Sequence, residues 1–119
     1  YTHTGGREGL REVHKGIDPP TAVICGNDVL AIGAIAECHA RGLKVPDDVA
    51  VVGYDDITVA SVTRPRLTTV AQPKYEMGAV ACRMLIERLR NPDKPYQSTV
   101  LEPQLVIRES SVVMTCTTR

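Results

Sequence analysis

Aromatic residues are scarce in this chain: its 119 residues include no Phe and no Trp, and aromatic types make up only 3% of it. Any core must therefore be aliphatic. An excess of one charge is also lacking, because 14 Lys and Arg residues balance 14 Asp and Glu residues. Phosphate binding needs a clustered basic face. We therefore expect no nucleic acid contact by this chain itself.

Long apolar runs are missing as well. None approaches the roughly 20 residues of a membrane-spanning helix, and the first residues, YTHTGGREG, do not form a signal peptide. We expect a cytoplasmic chain with no membrane partner, although Tyr1 in place of Met suggests a processed or truncated start. A chain of 119 residues allows one small domain but not two full lobes.

Metal and catalytic motifs are also absent. The cysteines Cys25, Cys38, Cys82 and Cys116 form no CxxC pair and have no histidine at a metal-ligand spacing. We interpret the first three as small buried residues and Cys116 as a reactive thiol in the tail. No GxGxxG, GxxxxGKS or GxSxG motif occurs. The sequence therefore predicts no metal, no cofactor, no catalytic residue and no enzyme.

Two apolar runs stand out among the features that are present, PTAVICGND and VAVVGYDD, because each ends in Gly and polar residues. Such runs are typical of buried parallel strands, here residues 21–26 and 49–53. Residues 28–41 between them have helical spacing, and Gly42 suits the position after a helix. This strand, helix and strand unit predicts an α/β fold with a parallel sheet.

Further elements are predicted on both sides of this unit. A helix over residues 6–15, capped by Thr4, precedes the unit. A loop over 57–66 with one helical turn, a strand over 67–71 and an amphipathic helix from Pro73 to before Asn91 follow it. The rest comprises two short strands in 100–110, interrupted by Pro103, and a loose tail over 112–119.

Polar side chains follow each strand of the unit. Asp55, directly after a strand, can accept hydrogen bonds from the hydroxyls of a sugar or the ring N–H groups of a purine, or it can brace its loop. Asn27 can face a ligand or cap the following helix. We interpret Asp28 as a structural cap and Asp56 as a turn or cap residue.

Three segments together carry a family resemblance: residues 20–56, RPRLTTVAQPKYEMGAVACRMLIERL and EPQLVIRESS. They resemble the C-terminal part of the effector-binding domain of LacI/GalR-type transcription regulators, over nearly all of residues 5–111. The resemblance implies a partial type I periplasmic-binding-protein-like, Rossmann-like fold, an incomplete two-lobe domain. It also implies a small effector, such as a sugar, bound by Asn27, Asp55 and Gln72; for Gln72 the alternative is a solvated loop amide.

The same resemblance implies an organisation and partners. Residues 1–66 would form the C-terminal lobe, and 67–111 the crossover and elements that pack on an N-terminal lobe. That lobe and a DNA-binding headpiece are expected to be absent, so that operator DNA is a partner only through the headpiece. The α-helical face of Met77, Val80, Met84 and Leu85 would then be exposed, swapped with another copy of the chain, or covered by sequence that is missing here. A homodimer is expected through a surface containing Ile32, Ile35, Val62 and Thr63.

Two alternatives to a ligand-sensing regulator remain. A periplasmic sugar-binding protein of a transporter has the same fold, but the segments LTTVAQP and LVIRES are more similar to the regulators. A truncated fragment without activity of its own is the other alternative.

Overall fold

A computed structural model gives the structure of the chain and describes residues 1–112. In chain order the elements are α1 (His3–Val13), β1 (Ala22–Ile24), α2 (Asp28–Ala40), β2 (Ala50–Tyr54), a 3-10 helix (Thr58–Ser61), β3 (Thr68–Ala71), α3 (Lys74–Arg90) and β4 (Gln104–Val106). All of the predicted tail except its first residue, Val112, lies outside the described residues, and this part includes Cys116.

The four strands form one sheet in the order β1, β2, β3, β4. β1 pairs with β2 and β2 with β3 in parallel, whereas β4 runs antiparallel to β3. The α/β fold and the parallel strand, helix and strand unit predicted from the sequence are therefore confirmed. Gly42, after α2, has a φ of +75°, which a residue with a side chain adopts only under strain.

One of the two strands predicted near the C-terminal end does not form. β4 covers Gln104–Val106, and residues 100–103 have no strand structure. Pro103 has no backbone N–H to donate to a ladder, so pairing starts only after it.

Helix α1 begins earlier than predicted. Its cap is Thr2 and not Thr4, because the extended backbone of Thr2 lets its hydroxyl oxygen accept a hydrogen bond of 3.0 Å from the Gly5 N–H. The helix then includes both glycines that follow Thr4.

Two glycines allow α1 and α2 to cross closely. A Cβ on Gly6 would lie 2.0 Å from the carbonyl oxygen of Leu30, and one on Gly33 would lie 2.1 Å from that of His3. Both distances are far below van der Waals contact, so the crossing requires glycine on each helix.

The buried core lies between α2, the sheet and α1, and its residues are aliphatic apart from one cysteine. They are Leu10, Ala31, Ala34, Ile35, Cys38, Val49, Val51, Ala60 and Leu67. Among the cysteines that the structure describes, Cys38 is buried, as expected, whereas Cys25 is only half-buried and Cys82 is exposed. The interpretation of Cys82 as a buried residue was wrong, because it lies on a helix that has no buried residue.

A C-terminal serine joins the beginnings of β2 and β3. The buried hydroxyl of Ser110 donates to the carbonyl oxygen of Val51 at 2.6 Å and accepts from the Thr68 N–H at 2.8 Å. The backbone of Ser110 also accepts from the Val51 N–H and donates to the Arg66 carbonyl oxygen. Ser110 thus satisfies backbone groups at the amino ends of two neighbouring strands.

Helix α3 contributes nothing to this core, since none of its residues is buried. Its apolar residues Met77 and Leu85 are 44% and 60% exposed. The radius of gyration, 18.8 Å, exceeds the roughly 13.5 Å of a compact domain of this length. No helix within the described residues is long and apolar enough to cross a bilayer.

The predicted division after Arg66 stays a prediction. On the described residues, β3 nevertheless belongs to the same sheet as β2, and Leu67 to the core that residues before it form.

Candidate ligand-binding site

Three of the predicted site residues follow the three parallel strands. Asn27 lies after β1, Asp55 after β2 and Gln72 after β3. The strands are in parallel register, with Ile24 opposite Val52 and Tyr54 opposite Val70. The carboxyl ends therefore lie at one edge of the sheet, which is where open α/β sheets bind ligands.

Asp55 and Gln72 contact each other directly. The Gln72 side-chain Nε2 donates to Asp55 Oδ1 at 2.6 Å, and both residues are half-buried. The backbone of Asp55 extends the sheet, because its N–H donates to the Val70 carbonyl oxygen at 2.9 Å. Among the described residues, Asp55 Oδ2 and Gln72 Oε1 have no protein partner and can accept further hydrogen bonds.

Asn27 is the N-cap of α2. Its Oδ1 accepts from the Leu30 N–H at 2.9 Å, and its backbone is extended. The cap occupies the side-chain oxygen, whereas the amide group Nδ2 makes no hydrogen bond to a described residue. Asn27 can therefore cap the helix and still donate to a ligand, so the two interpretations of this residue are compatible.

Asp28 is structural, as expected, but it does not cap its helix. It is fully buried, and its Oδ2 accepts from the Ile57 N–H at 2.8 Å while its Oδ1 accepts from the Thr69 hydroxyl at 2.5 Å. It thus joins the start of α2 to the loop after β2 and to β3. The cap interpretation was wrong because Asn27, one residue earlier, fills that position.

Asp56 forms an ion pair with Arg108 and does not cap a helix. The Arg108 Nη2 lies 2.7 Å from Asp56 Oδ1, and its Nη1 donates to the Leu67 carbonyl oxygen at 2.9 Å. The turn part of its interpretation is correct, since Asp56 has a φ of +48°. The two neighbouring aspartates therefore have separate partners, a glutamine amide and a guanidinium.

The turn at Asp55 and Asp56 is strained. Their φ angles are +110° and +48°, in the region that favours glycine. Left-handed backbone costs a residue with a side chain roughly 1–2 kcal/mol. Such strain persists only where neighbouring contacts hold it.

The sequence did not single out Thr69, Arg108 or the role of Gly53. A Cβ on Gly53 would lie 2.2 Å from Asp28 Oδ1, so this glycine makes room for the buried carboxylate. The available signals were a hydroxyl in a β-branched strand and one arginine in the C-terminal segment. Neither is distinctive without knowledge of the pairing.

The residues of the expected dimer surface do not share one face. Ile35 is 4% exposed and belongs to the core, so its assignment to an interface was wrong. Ile32 is half-buried and packs against the core, Val62 is exposed, and Thr63 donates from its hydroxyl to the Ala60 carbonyl oxygen. Ile35 faces inward because α2 has neighbours on two sides, α1 and the sheet.

Comparison with known proteins gives consistent matches. The family described as periplasmic binding protein-like domain matches residues 2–111. The ribose operon repressor of Haemophilus influenzae is 42% identical over 110 residues, which are 92% of this chain and 33% of that protein. The chain thus spans about a third of the length of the curated relatives it matches.

Solved structures match over a similar part. A LacI family transcriptional regulator from Enterococcus faecium, with bound ribose, has 30% identity and a TM-score of 0.82, covering 93% of this chain and 41% of that one. The transcriptional regulator CelR in a cellobiose complex has 38% identity and a TM-score of 0.86, covering 93% and 34%.

Proposed function

Because the chain belongs to the periplasmic binding protein-like domain family and corresponds to a portion of the effector-binding domain of LacI-type regulators, we propose that it is the ligand-sensing part of a transcription regulator. Its ligand is a sugar or a similar small, hydroxyl-rich metabolite. Asn27, Asp55 and Gln72 bind that ligand.

The pair of Asp55 and Gln72 carries this proposal. The contact of 2.6 Å fixes a carboxylate and an amide side by side, with one free acceptor on each. Two adjacent hydroxyls can donate to these acceptors, and the Asn27 amide supplies a donor at the same edge. The Asp56 carboxylate is neutralised by Arg108. Among the described residues, Asp55 is the half-buried carboxylate at this edge that has no cationic partner, which favours a neutral polyol over an anion.

In the regulator, the effector shifts the balance between two arrangements of lobes and thereby changes DNA binding. The effector must prefer one arrangement by a few kcal/mol to do so. The protein then works in the cytoplasm as a homodimer, with Ile32, Val62 and Thr63 in the contact, and binds operator DNA through a separate headpiece. It catalyses no reaction. Two relatives with ribose or cellobiose bound support the sugar class.

Titration of the 15N-labelled chain with D-ribose and cellobiose tests the ligand site. We expect affinity only in the millimolar range, about −4 kcal/mol, from one side of a two-sided site. The backbone amide resonances of Asp55 and Gln72 should therefore shift when sugar is added, and Asp55→Asn should abolish these changes. Asp93→Asn, which removes an exposed carboxylate elsewhere, should not. Neither sugar moving these resonances, or both moving them equally in Asp55→Asn, would contradict the proposal.

A further inference from the structure

The buried carboxylate of Asp28 has a place in the fold that ligand contact does not explain. It is fully buried, and among the described residues it has no cationic partner. Its two hydrogen bonds reach segments 29 and 41 residues away along the chain. A carboxylate without a counter-ion is costly to bury unless it accepts hydrogen bonds, so these two bonds are needed in the folded chain and tie both segments to the start of α2.

What Asp28 holds is the backbone directly after Asp55. Its Oδ2 accepts from the Ile57 N–H at 2.8 Å. Its Oδ1 accepts from the Thr69 hydroxyl, and the oxygen of that hydroxyl accepts from the Asp56 N–H at 3.3 Å. The two amides that follow Asp55 are therefore tied to one carboxylate, one directly and one through Thr69.

The donor and acceptor roles in these hydrogen bonds are fixed by the groups involved. The Thr69 hydroxyl has one proton, which it gives to Asp28, so its oxygen is free to accept from the Asp56 N–H. The two donors approach different oxygens of Asp28. Asparagine at position 28 replaces one of these oxygens with an NH2 group, so one donor loses its acceptor. Gly53 leaves the space that the carboxylate occupies, because a Cβ at that position would collide with Asp28 Oδ1.

We propose that Asp28 is a positioning residue, which through Thr69 and Ile57 holds the strained turn at Asp55 and Asp56 and so presents the Asp55 carboxylate beside Gln72. The inference rests on the proposed function, since Asp55 and Gln72 are its ligand residues. It also extends that function: the residue that orients the site does not touch the ligand.

Native-state amide exchange and the side-chain NH2 resonances of Gln72 test this in the 15N-labelled chain without any ligand. In Asp28→Asn we expect the Ile57 amide to exchange about tenfold faster than its change in global stability explains, and the Gln72 resonances to shift. Gly53→Ala should shift the same resonances. The exchange of core amides such as Ala34 measures global stability.

Glu37→Gln is the matched control, because Glu37 is also a buried carboxylate of α2 but bonds to Arg7 and Arg11. It should lower stability and leave the Ile57 amide and the Gln72 resonances in place. Equal changes at these sites in both variants would overturn the proposal and reduce Asp28 to a purely structural role.

Two variants at Thr69 test the proposal if Asp28→Asn does not fold. Thr69→Val removes the hydroxyl and should shift the Gln72 resonances, whereas Thr69→Ser keeps the hydroxyl and should restore them. Unchanged resonances in Thr69→Val would overturn the proposal. A sugar titration without response in the wild-type chain, with these shifts present, would contradict the proposed function alone.

Discussion

Glu37 on α2 holds Arg11 on α1 through both of its oxygens: Arg11 Nε lies 2.6 Å from Oε1 and Nη2 lies 2.9 Å from Oε2. Arg7 adds a third bond, 3.0 Å from its Nε to Oε2. The hydrogen bond from Arg11 is the main reason why the pKa of Glu37 lies below its usual value of 4.5. These bonds join the two helices beside their glycine contact.

Stability should therefore depend on pH through Glu37. A carboxylate whose pKa is depressed by folding stabilises the fold above its unfolded pKa, and this contribution is lost as the pH falls through the folded pKa. Near pH 7 we expect Glu37→Gln to unfold at a lower urea concentration than the wild-type chain. Below pH 4.5 this difference in stability should shrink. Urea melts between pH 7 and pH 3 measure the free energy of unfolding of both chains, with an uncertainty of about 10–15%.

Glu12→Gln is the control for that series, because Glu12 pairs with Lys15 on the surface, where both side chains are about two-thirds exposed. Exposed ion pairs contribute little to the free energy of unfolding. A Glu12 variant as destabilised as the Glu37 variant would show that the helix contact does not depend on the buried carboxylate.

The glycines of α1 should respond oppositely to alanine. Gly6→Ala places a Cβ 2.0 Å from the Leu30 carbonyl oxygen, and overpacking of this kind costs roughly 1–3 kcal/mol. Gly9→Ala on the same helix meets nothing within 4 Å and should stabilise by about 0.5–1 kcal/mol through helix propensity. Thermal or urea unfolding distinguishes the two, and a stabilised Gly6→Ala chain would show that α1 does not cross α2 at this point.

Thiol reactivity should follow burial. Burial raises the pKa of Cys25 to about 11, whereas Cys82 is exposed on α3. At pH 8 only about one Cys25 thiol in a thousand is then ionised. In a Cys116→Ser background, iodoacetamide should label Cys82 first, as mass spectrometry of peptides can show. Faster labelling of Cys25 would mean that the end of β1 opens readily.

Val62 tests the proposed dimer, because it is 67% exposed. We expect Val62→Asp to shift the chain toward monomer in sedimentation velocity, since an interface core excludes an unpaired charge. Ile17→Asp is the matched control, as Ile17 is a fully exposed aliphatic residue after α1. A dimer that persists in Val62→Asp would place the contact elsewhere.

The elements with a clear sequence signal were predictable. Gly42 marked the end of α2, and the runs before Asn27 and Asp55 predicted parallel strands. Gln72 was assigned to the ligand site only by the resemblance, and its contact with Asp55 was not predicted. The predictions that were wrong concern residues whose role depends on neighbours distant in the sequence. Spacing alone could not tell that Ile35 faces inward, because helix periodicity gives faces but not how many of them are covered.

The choice between Asn27 and Asp28 as helix cap shows the same limit. Both residue types cap helices well, and adjacent positions in a sequence give no means of choosing. Thr69 and Ile57, which are 41 and 29 residues away, donate hydrogen bonds to the Asp28 carboxylate. Asn27 is therefore the cap. Similarly, Thr2 and Thr4 are equivalent as caps until the contact between Gly6 and α2 fixes where α1 begins.

The hydroxyl of Ser110 has a kinetic consequence. Its partners Val51 and Thr68 are 59 and 42 residues earlier in the chain, and contacts at such separation slow folding because a long loop must close first. During synthesis, β2 and β3 are complete well before residue 110 exists. Until that residue is made, the Val51 carbonyl oxygen and the Thr68 N–H lack their native partner, so the nascent chain passes through an interval in which the amino ends of two neighbouring strands are incompletely bonded.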